Sequence, residues 1–147
     1  MSPRLTKEDA WEVVSAAHTG IFTTLKADGT PISLPMWFVA FDERIYVTTP
    51  AQTKKVGRVE RNPRASFLVE SGIRWTELQA VHLTGNARVV EDDDVRARVR
   101  KALDDKYARF RTTGGDRNVD GIAMAVIELT PDDRFLTWDN NRLPGRS

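Results

Sequence analysis

The sequence predicts a mainly β protein, a small barrel of about six or seven short, mostly antiparallel strands with helices at its margins. Runs rich in β-branched and aromatic residues recur along the chain, and tight-turn sequences such as Asp28-Gly29 separate them. The segment from Gln79 to Val90 alternates apolar and polar side chains over its whole length, which is typical of a strand with one solvated face. Segments with helical spacing flank these runs.

The first third of the chain is predicted to form a helix and then a meander of strands. Thr6 opens a capping-box sequence and apolar residues follow at helical spacing, so we expect a helix over residues 6–17. Pro35 lies inside the second predicted strand and cannot donate a hydrogen bond to a neighbouring strand. We therefore expect an edge, a bulge or a kink there. The strands are predicted over residues 21–25, 32–41 and 45–49, joined as an antiparallel meander.

A short basic helix follows the third strand and ends before Pro63. Further along, the acidic run from Glu91 to Asp94 favours a helix start, because the helix dipole stabilises negative charge at that end. Residues 73–78 show no clear period. In the rest of the chain we expect strands over residues 64–70, 79–90, 121–130 and 134–138, a helix over residues 92–110 and a loop over residues 112–120.

Length and composition indicate one soluble domain over residues 1–147. The apolar fraction of 40% and the charged fraction of 29% are ordinary for a globular protein. Twenty-two basic and 21 acidic side chains leave a net charge of +1, so general nucleic-acid binding is not expected. The chain has no cysteine, which excludes disulfides and thiolate metal sites. With neither a signal sequence nor a membrane-spanning apolar run, we expect a cytoplasmic protein.

The residue types argue against hydrolytic and metal-dependent chemistry. The two histidines, His18 and His82, lie far apart in the sequence, and no cluster of His, Asp and Glu has zinc-ligand spacing. Asp92, Asp93 and Asp94 are consecutive and cannot all face one ion on a helix, so helix-start electrostatics explains them better. The sequence has no dinucleotide-binding glycine motif and no P-loop.

The start of the basic helix is the strongest candidate for a binding site. Lys54 and Lys55 lie in its first turn, where the helix dipole already presents about half a positive charge. A bound anion would turn this repulsion into attraction, because backbone N–H groups and two ammonium groups would then face one phosphate. Thr53 could cap the helix or donate its hydroxyl to the same anion. The alternative is a solvated basic helix with no ligand.

The second predicted strand offers apolar residues that could accompany this helix in a site. Met36, Trp37 and Phe38 could form a flat wall, and a phosphate site beside such a wall suits a phosphorylated planar ring. Flavin-like cofactors have that shape, and they carry redox chemistry of their own. The alternative for all three residues is ordinary barrel core.

Five motifs of the chain follow in a recognisable order. They are Gly20-Ile21-Phe22-Thr23-Thr24-Leu25, Asp28-Gly29-Thr30-Pro31, Thr48-Thr49, Thr53-Lys54-Lys55 and Asn62-Pro63-Arg64-Ala65-Ser66. These motifs resemble the pyridoxamine 5′-phosphate oxidase-like family of FMN-binding split β-barrel proteins. Within it the chain is most similar to the actinobacterial oxidoreductases that use flavin or the 5-deazaflavin coenzyme F-420. The likeness covers about residues 6–138, and the spacing from Lys55 to Asn62-Pro63 is its most specific part.

The resemblance implies a homodimer with cofactor at the subunit interface and hydride transfer from F-420 to an unsaturated small molecule. Lys55 would be the main phosphate ligand, with Thr53 and Lys54 beside it. The longer acidic tail of the deazaflavin would suit Arg58 and Arg61. Thr48 and Thr49 would line the cofactor's side chain. The ring would lie along Pro35, Met36 and Trp37. Trp138 and Arg142 would reach the ring or the substrate of the partner subunit.

Two other functions stay open. An FMN-dependent oxidoreductase of the same fold is one. The family's oxidases carry an FMN-binding arginine where this chain has Leu34-Pro35. They also carry a glutamine where this chain has Ala80, although Gln79 is adjacent. The other is a non-catalytic split-barrel dimer, such as a cofactor carrier or a haem sensor. Haem would need an axial ligand, for which His18 and His82 are the candidates. The resemblance assigns no catalytic residue and no particular substrate.

Overall fold

The computed structural model describes residues 3–110 and 123–143. Within these ranges the chain forms three α-helices and eight strands, with short 3-10 turns at residues 75–77, 108–110 and 140–142. The helices are α1 (Lys7–Ala16), α2 (Lys54–Arg61) and α3 (Asp93–Tyr107). The strands are β1 (Gly20–Leu25), β2 (Pro31–Met36), β3 (Val39–Phe41), β4 (Arg44–Pro50), β5 (Arg64–Ser71), β6 (Gln79–Val89), β7 (Met124–Pro131) and β8 (Leu136–Asp139).

All eight strands belong to one antiparallel sheet that curls into a split barrel. Its order is β2-β1-β5-β6-β7-β4-β3, and β8 pairs with the first residues of β6. The end strands β2 and β3 are joined only by Trp37 and Phe38. Because three peptide units span no more than about 11 Å, the two ends of the sheet must lie side by side. The predicted mainly β split barrel is thus confirmed.

The single second strand predicted over residues 32–41 is wrong, because the chain leaves the sheet at Trp37 and Phe38. Its first half pairs with β1 and its second half with β4, so the expected meander is divided between the two ends of the sheet. The interruption near Pro35 and the edge position of β2 were both expected. Division of this strand raises the number of strands to eight, above the predicted six or seven, whereas β8 overlaps the strand predicted over residues 134–138.

Two apolar cores hold the sheet. The first fills the inside of the curl, where Phe22, Phe38 and Phe67 pack ring against ring with centroids 4.8 to 6.4 Å apart. The second lies outside the curl, where α3 packs on β4 and β7 through Tyr107 and its apolar neighbours. The alternation predicted for β6 is confirmed, since Val81, Leu83, Gly85 and Ala87 are buried while the residues between them are partly or fully exposed.

Side-chain caps set the starts of two helices as the sequence indicates. The Thr6 hydroxyl accepts the N–H of Asp9, and the Asp92 carboxylate accepts the N–H of Val95. The α-helix predicted to reach residue 110 ends at Tyr107 and continues as a 3-10 turn. The predicted loop over residues 112–120 lies outside the described residues. Among the residues the structure describes, none of the helices is long and apolar enough to cross a membrane.

Candidate functional site

The junction of β4 and α2 brings together most of the predicted anion-binding residues. Thr53 is the N-cap of α2 by its backbone, but its side chain makes no capping hydrogen bond and lies 3.2 Å from the hydroxyl of Thr49. Lys54 and Lys55 form the first turn, and neither has an ion-pair partner among the described residues. Thr48 precedes Thr49 in the strand and therefore points to the opposite face of the sheet. The structure thus brings Thr49, but not Thr48, to Thr53.

A basic groove of about 380 Å³ runs between α2 and the β1–β2 turn. We call it the α2 groove. Lys54, Arg58 and Arg61 line it at spacings of four and three residues, so they share one face of the helix. Lys26 lines the opposite wall, and the Asp28 carboxylate is the one acidic group among the lining residues. Lys55 is half-buried and does not line this groove.

Arg58 is the most unusual residue of the α2 groove, because only 7% of it is exposed. Its Nε donates to the buried hydroxyl of Thr24 at 2.8 Å, yet no carboxylate of the described chain forms an ion pair with it. A buried guanidinium without a counter-charge is costly, because desolvation removes its interaction with water. An anion in the groove would supply that missing charge.

The predicted apolar wall lies at the other end of the β1–β2 hairpin. Pro35 and Met36 pair with Ile21 and Gly20 on β1, and β2 is largely exposed along its length. The Trp37 indole stacks on the Tyr107 ring with centroids 4.2 Å apart and planes 4° apart, and 39% of Trp37 remains exposed. Trp37 is therefore held in a fixed orientation, which is what a flat ring contact requires.

The C-terminal end of α3 fixes the break between β2 and β3. The Phe38 N–H donates to the Tyr107 hydroxyl at 2.9 Å, and that hydroxyl lies 2.7 Å from the His18 carbonyl oxygen. Lys106 Nζ donates to the Phe38 carbonyl at 2.9 Å and lies 3.8 Å from the centre of the Phe38 ring. Phe38 has no strand neighbour, and side chains of α3 thus supply the hydrogen-bond partners for its N–H and its carbonyl group.

Lys106 should make the stability of the protein depend on pH. Burial lowers the pKa of Lys106 to about 8 from 10.5, the value expected in the unfolded chain. Between these pH values the unfolded chain holds a proton that the folded chain has released, so the free energy of unfolding rises with pH. We expect a rise on the order of 1 kcal/mol, because solvent still screens part of the ammonium group.

Urea unfolding of the wild type and Lys106→Met at pH 7.5 and pH 9.5 measures this contribution. The difference in stability between the two proteins should shift in favour of the wild type at the higher pH. A difference that stays constant would mean that the pKa of Lys106 is ordinary.

Trp138 and Arg142 lie away from the apolar wall of the same chain. Trp138 is on β8 opposite Ala80, and its Nε1 donates to the side-chain oxygen of Asn140. Pro35 and Leu136 are in register across β2, β1, β5, β6 and β8, so four strand spacings, or about 19 Å along the curled sheet, separate β2 from β8. Arg142 forms ion pairs with Asp9 at 3.0 Å and Asp139 at 3.5 Å.

Sequence reasoning missed the contributions of Lys26, Lys106 and Tyr107. The charge of Lys26 and its place in the β1–β2 turn are visible in the sequence, but only folding brings it opposite α2. The roles of Lys106 and Tyr107 had no sequence signal beyond helical spacing.

Among the described residues, no group of three or more His, Asp and Glu side chains could hold a metal ion. What the arrangement can do chemically is bind an anion at α2 and support a planar ring at Trp37.

A curled antiparallel sheet with a short basic helix at its edge is typical of the split-barrel class. Residues 6–137 match the family model described as pyridoxamine 5′-phosphate oxidase. Because this match spans most of the sequence, the chain belongs to that family. The family-level resemblance inferred from the sequence is therefore confirmed.

Solved structures agree with this assignment. The chain matches the conserved hypothetical protein Rv2991 from Mycobacterium tuberculosis over 100% of its own length and 96% of that chain, with a TM-score of 0.82 and 26% identity. An FAD-binding protein from Mesorhizobium loti matches with a TM-score of 0.70 and 17% identity, over 90% of this chain and 92% of that one. HutZ, the haem storage protein from Vibrio cholerae, matches with a TM-score of 0.71 and 16% identity, over 90% of this chain and 94% of that one. Comparison with curated protein sequences finds no match.

Proposed function

We propose that the protein is an oxidoreductase that uses the deazaflavin coenzyme F-420 as a hydride donor to an unsaturated small molecule. The cofactor ring lies along Pro35, Met36 and Trp37, and its phosphate lies at the start of α2, with Lys55 as the main ligand. The acidic tail follows the α2 groove. The active form is a cytoplasmic homodimer with the cofactor at the subunit interface.

The observation that carries this proposal is the excess of positive charge around the α2 groove. Lys26, Lys54, Arg58 and Arg61 face a single carboxylate, that of Asp28. One phosphate group does not need four cations in addition to the helix N-terminus and Lys55. A ligand with several carboxylates beyond its phosphate could pair with all four cations. The buried Arg58 would be stabilised most by such pairing, because its charge has no carboxylate partner among the described residues.

The distance between the apolar wall and the α2 groove fits an extended cofactor. They lie at opposite ends of β1, whose six residues span about 17 Å at the usual rise of an antiparallel strand. A planar ring held at Trp37 needs a long chain to reach the groove with its anionic groups. This separation favours a cofactor with a long acidic tail.

The residues of this chain bind and orient the cofactor. When bound, the deazaflavin supplies the hydride that reduces the substrate. Trp37 presents a rigid apolar surface that orients the ring and excludes water from one side of it. The Tyr107 stack and the two hydrogen bonds to Phe38 keep that surface in place. Positioning of this kind raises the rate because the ring and the substrate meet in a productive geometry.

The homodimer is supported by the number of large apolar side chains left on the surface. Single exposed apolar residues are ordinary, but several close together mark an interaction site. Three exposed residues of this type lie together in the connection between β5 and β6, and others lie on β2, at the break between β2 and β3, and on β8. They are Leu34, Trp37, Ile73, Trp75, Leu78, Leu136 and Trp138.

An FMN-dependent oxidoreductase is the second candidate, and the FAD-binding relative of the same fold favours a flavin. FMN would use Lys55 and the helix start but leave most of the α2 groove empty.

A non-catalytic dimer is the third candidate. For haem, His82 is better placed than His18, since it lines a cavity of about 620 Å³ with Arg4 and Arg134, whereas His18 is exposed.

A fluorescence-quench titration with F-420, run beside FMN in the same salt, tests the proposal. We expect F-420 to bind at least roughly tenfold more tightly, because each additional charge-assisted hydrogen bond contributes about 1.5–3 kcal/mol. Lys55→Ala should lower the F-420 affinity by at least a similar factor without unfolding the protein. Lys101→Ala removes a lysine from the exposed surface of α3 and should change nothing. Preference for FMN would favour the second candidate, and an unchanged affinity in Lys55→Ala would remove the role of Lys55.

A further inference from the structure

The connection between β5 and β6, residues 72–78, is held in a defined shape. Gly72 has φ of +98°, and a Cβ at this position would lie 2.4 Å from the Glu77 carbonyl oxygen, so no other residue fits. The Glu77 carboxylate accepts the N–H groups of Ile73 and Arg74, each at 3.3 Å. We call this connection the finger.

The finger presents an apolar and basic tip. Ile73 is 97% exposed and Trp75 is 52% exposed. Arg74 is exposed and has no ion-pair partner among the described residues. The finger's base is anchored to the 3-10 turn that follows β8, because Asn140 donates to the carbonyl oxygens of Trp75 and Leu78. Ile73, Trp75 and Leu78 are exposed together on this fixed loop, and a group of exposed apolar side chains marks an interaction site.

A cavity of complementary character lies at the finger's base. It has a volume of about 610 Å³ and lies between α1 and the ends of β5 and β6. Val13 and Val69 contribute to its apolar lining, and Asp9, Glu12 and Glu70 supply three carboxylates. Arg142 neutralises Asp9, whereas Glu12 and Glu70 have no ion-pair partner among the described residues. We call it the α1 cavity.

We infer that in the homodimer each finger inserts into the α1 cavity of the partner subunit. Ile73 covers the apolar lining, and the Arg74 guanidinium lies against Glu12 and Glu70. Ser71 lines the cavity and directly precedes the finger, so finger and cavity are neighbours on each chain. A two-fold axis beside Ser71 therefore exchanges the two fingers in one symmetric contact.

This inference rests on the proposed homodimer and adds a contribution from the partner subunit to the α1 cavity. Arg142, one of the predicted site residues, lines the α1 cavity. The inserted finger therefore closes the cavity around Arg142 and completes its wall with a residue from the second subunit. A monomer would lack this wall.

Sedimentation velocity over a concentration series tests the inference. Ile73→Asp and Arg74→Glu should each raise the dimer dissociation constant roughly tenfold or more, as is typical of a central contact. Both residues are exposed in the single chain, so circular dichroism should show unchanged folding. Arg100→Glu reverses an exposed charge on α3 and serves as the matched control, with no expected effect. Glu12→Arg combined with Glu70→Arg should weaken the dimer, and adding Arg74→Glu to that pair should restore it.

A dimer that is insensitive to Ile73→Asp would overturn the inference and leave the homodimer standing. Strictly additive effects of the charge reversals would also overturn it, because Arg74 would then not meet the two glutamates. A wild-type chain that stays monomeric at tens of micromolar would remove both the inference and the proposed homodimer. The F-420 titration is independent of these outcomes, so cofactor binding can succeed where the dimer contact fails.

Discussion

Gly85→Ala is expected to unfold the protein partly or completely at ambient temperature. Gly85 lies at the middle of β6, where the backbone of β7 approaches most closely. An added Cβ would lie 2.0 Å from the Thr130 carbonyl oxygen and 2.7 Å from Pro131 Cα. These are backbone atoms, so relief requires β7 to move away and lose its hydrogen bonds to β6. We expect a loss of roughly 3 kcal/mol or more in the free energy of unfolding.

Thermal unfolding followed by circular dichroism measures this effect, and Gly57→Ala is the matched control. Gly57 lies inside α2, and a Cβ there would meet no atom within 4 Å. The same chemical change should therefore stabilise the protein by roughly 0.5–1 kcal/mol through helix propensity. Equal melting temperatures for Gly85→Ala and the wild type would mean that β6 and β7 are not as closely packed as described.

Arg58→Met is expected to lower the F-420 affinity roughly tenfold or more while leaving stability unchanged or slightly higher. Methionine keeps much of the apolar stem but removes the guanidinium of a residue that is only 7% exposed and has no carboxylate partner among the described residues. Loss of the hydrogen bond to Thr24 costs about 1 kcal/mol, and relief from burying an uncompensated charge offsets it. Removal of that charge from the α2 groove weakens the binding of any anion there.

Arg88→Met provides a control with the opposite expectation. Arg88 Nε lies 2.9 Å from the Glu128 carboxylate, which is buried and also accepts the Tyr46 hydroxyl. Removing Arg88 leaves that carboxylate with Arg44 at 3.9 Å as its remaining cation, and the Arg88 side chain is 63% exposed, so stability should fall by about 1 kcal/mol while F-420 affinity stays the same. Calorimetric melting and the fluorescence titration, applied to both variants, separate the two roles. A destabilised Arg58→Met variant with normal affinity would assign Arg58 to the fold alone.

The difference between local and long-range properties explains how much of the candidate site could be predicted. Lys54 and Lys55 were identified because both their charge and their place in the first helical turn are local properties. The burial of Arg58 is not local, since it depends on the hydrogen bond to Thr24, 34 residues away. The α2 groove also needs Lys26, which the β1–β2 hairpin carries to the helix. Sequence periodicity reports which residues share a helix face, but not what lies opposite that face.

The sequence by itself determined the mainly β class, most strand positions, the helix start at Thr6 and a helix start within the acidic run from Glu91 to Asp94. These features follow from alternation, turn residues and caps, which act over a few neighbouring residues. Only the tertiary structure decided that the second predicted strand divides at Trp37 and Phe38. The cause is Tyr107, 69 residues beyond Phe38, whose ring and hydroxyl replace the lost sheet contacts. Strand order and burial come from contacts between distant residues, and local patterns carry no record of those partners.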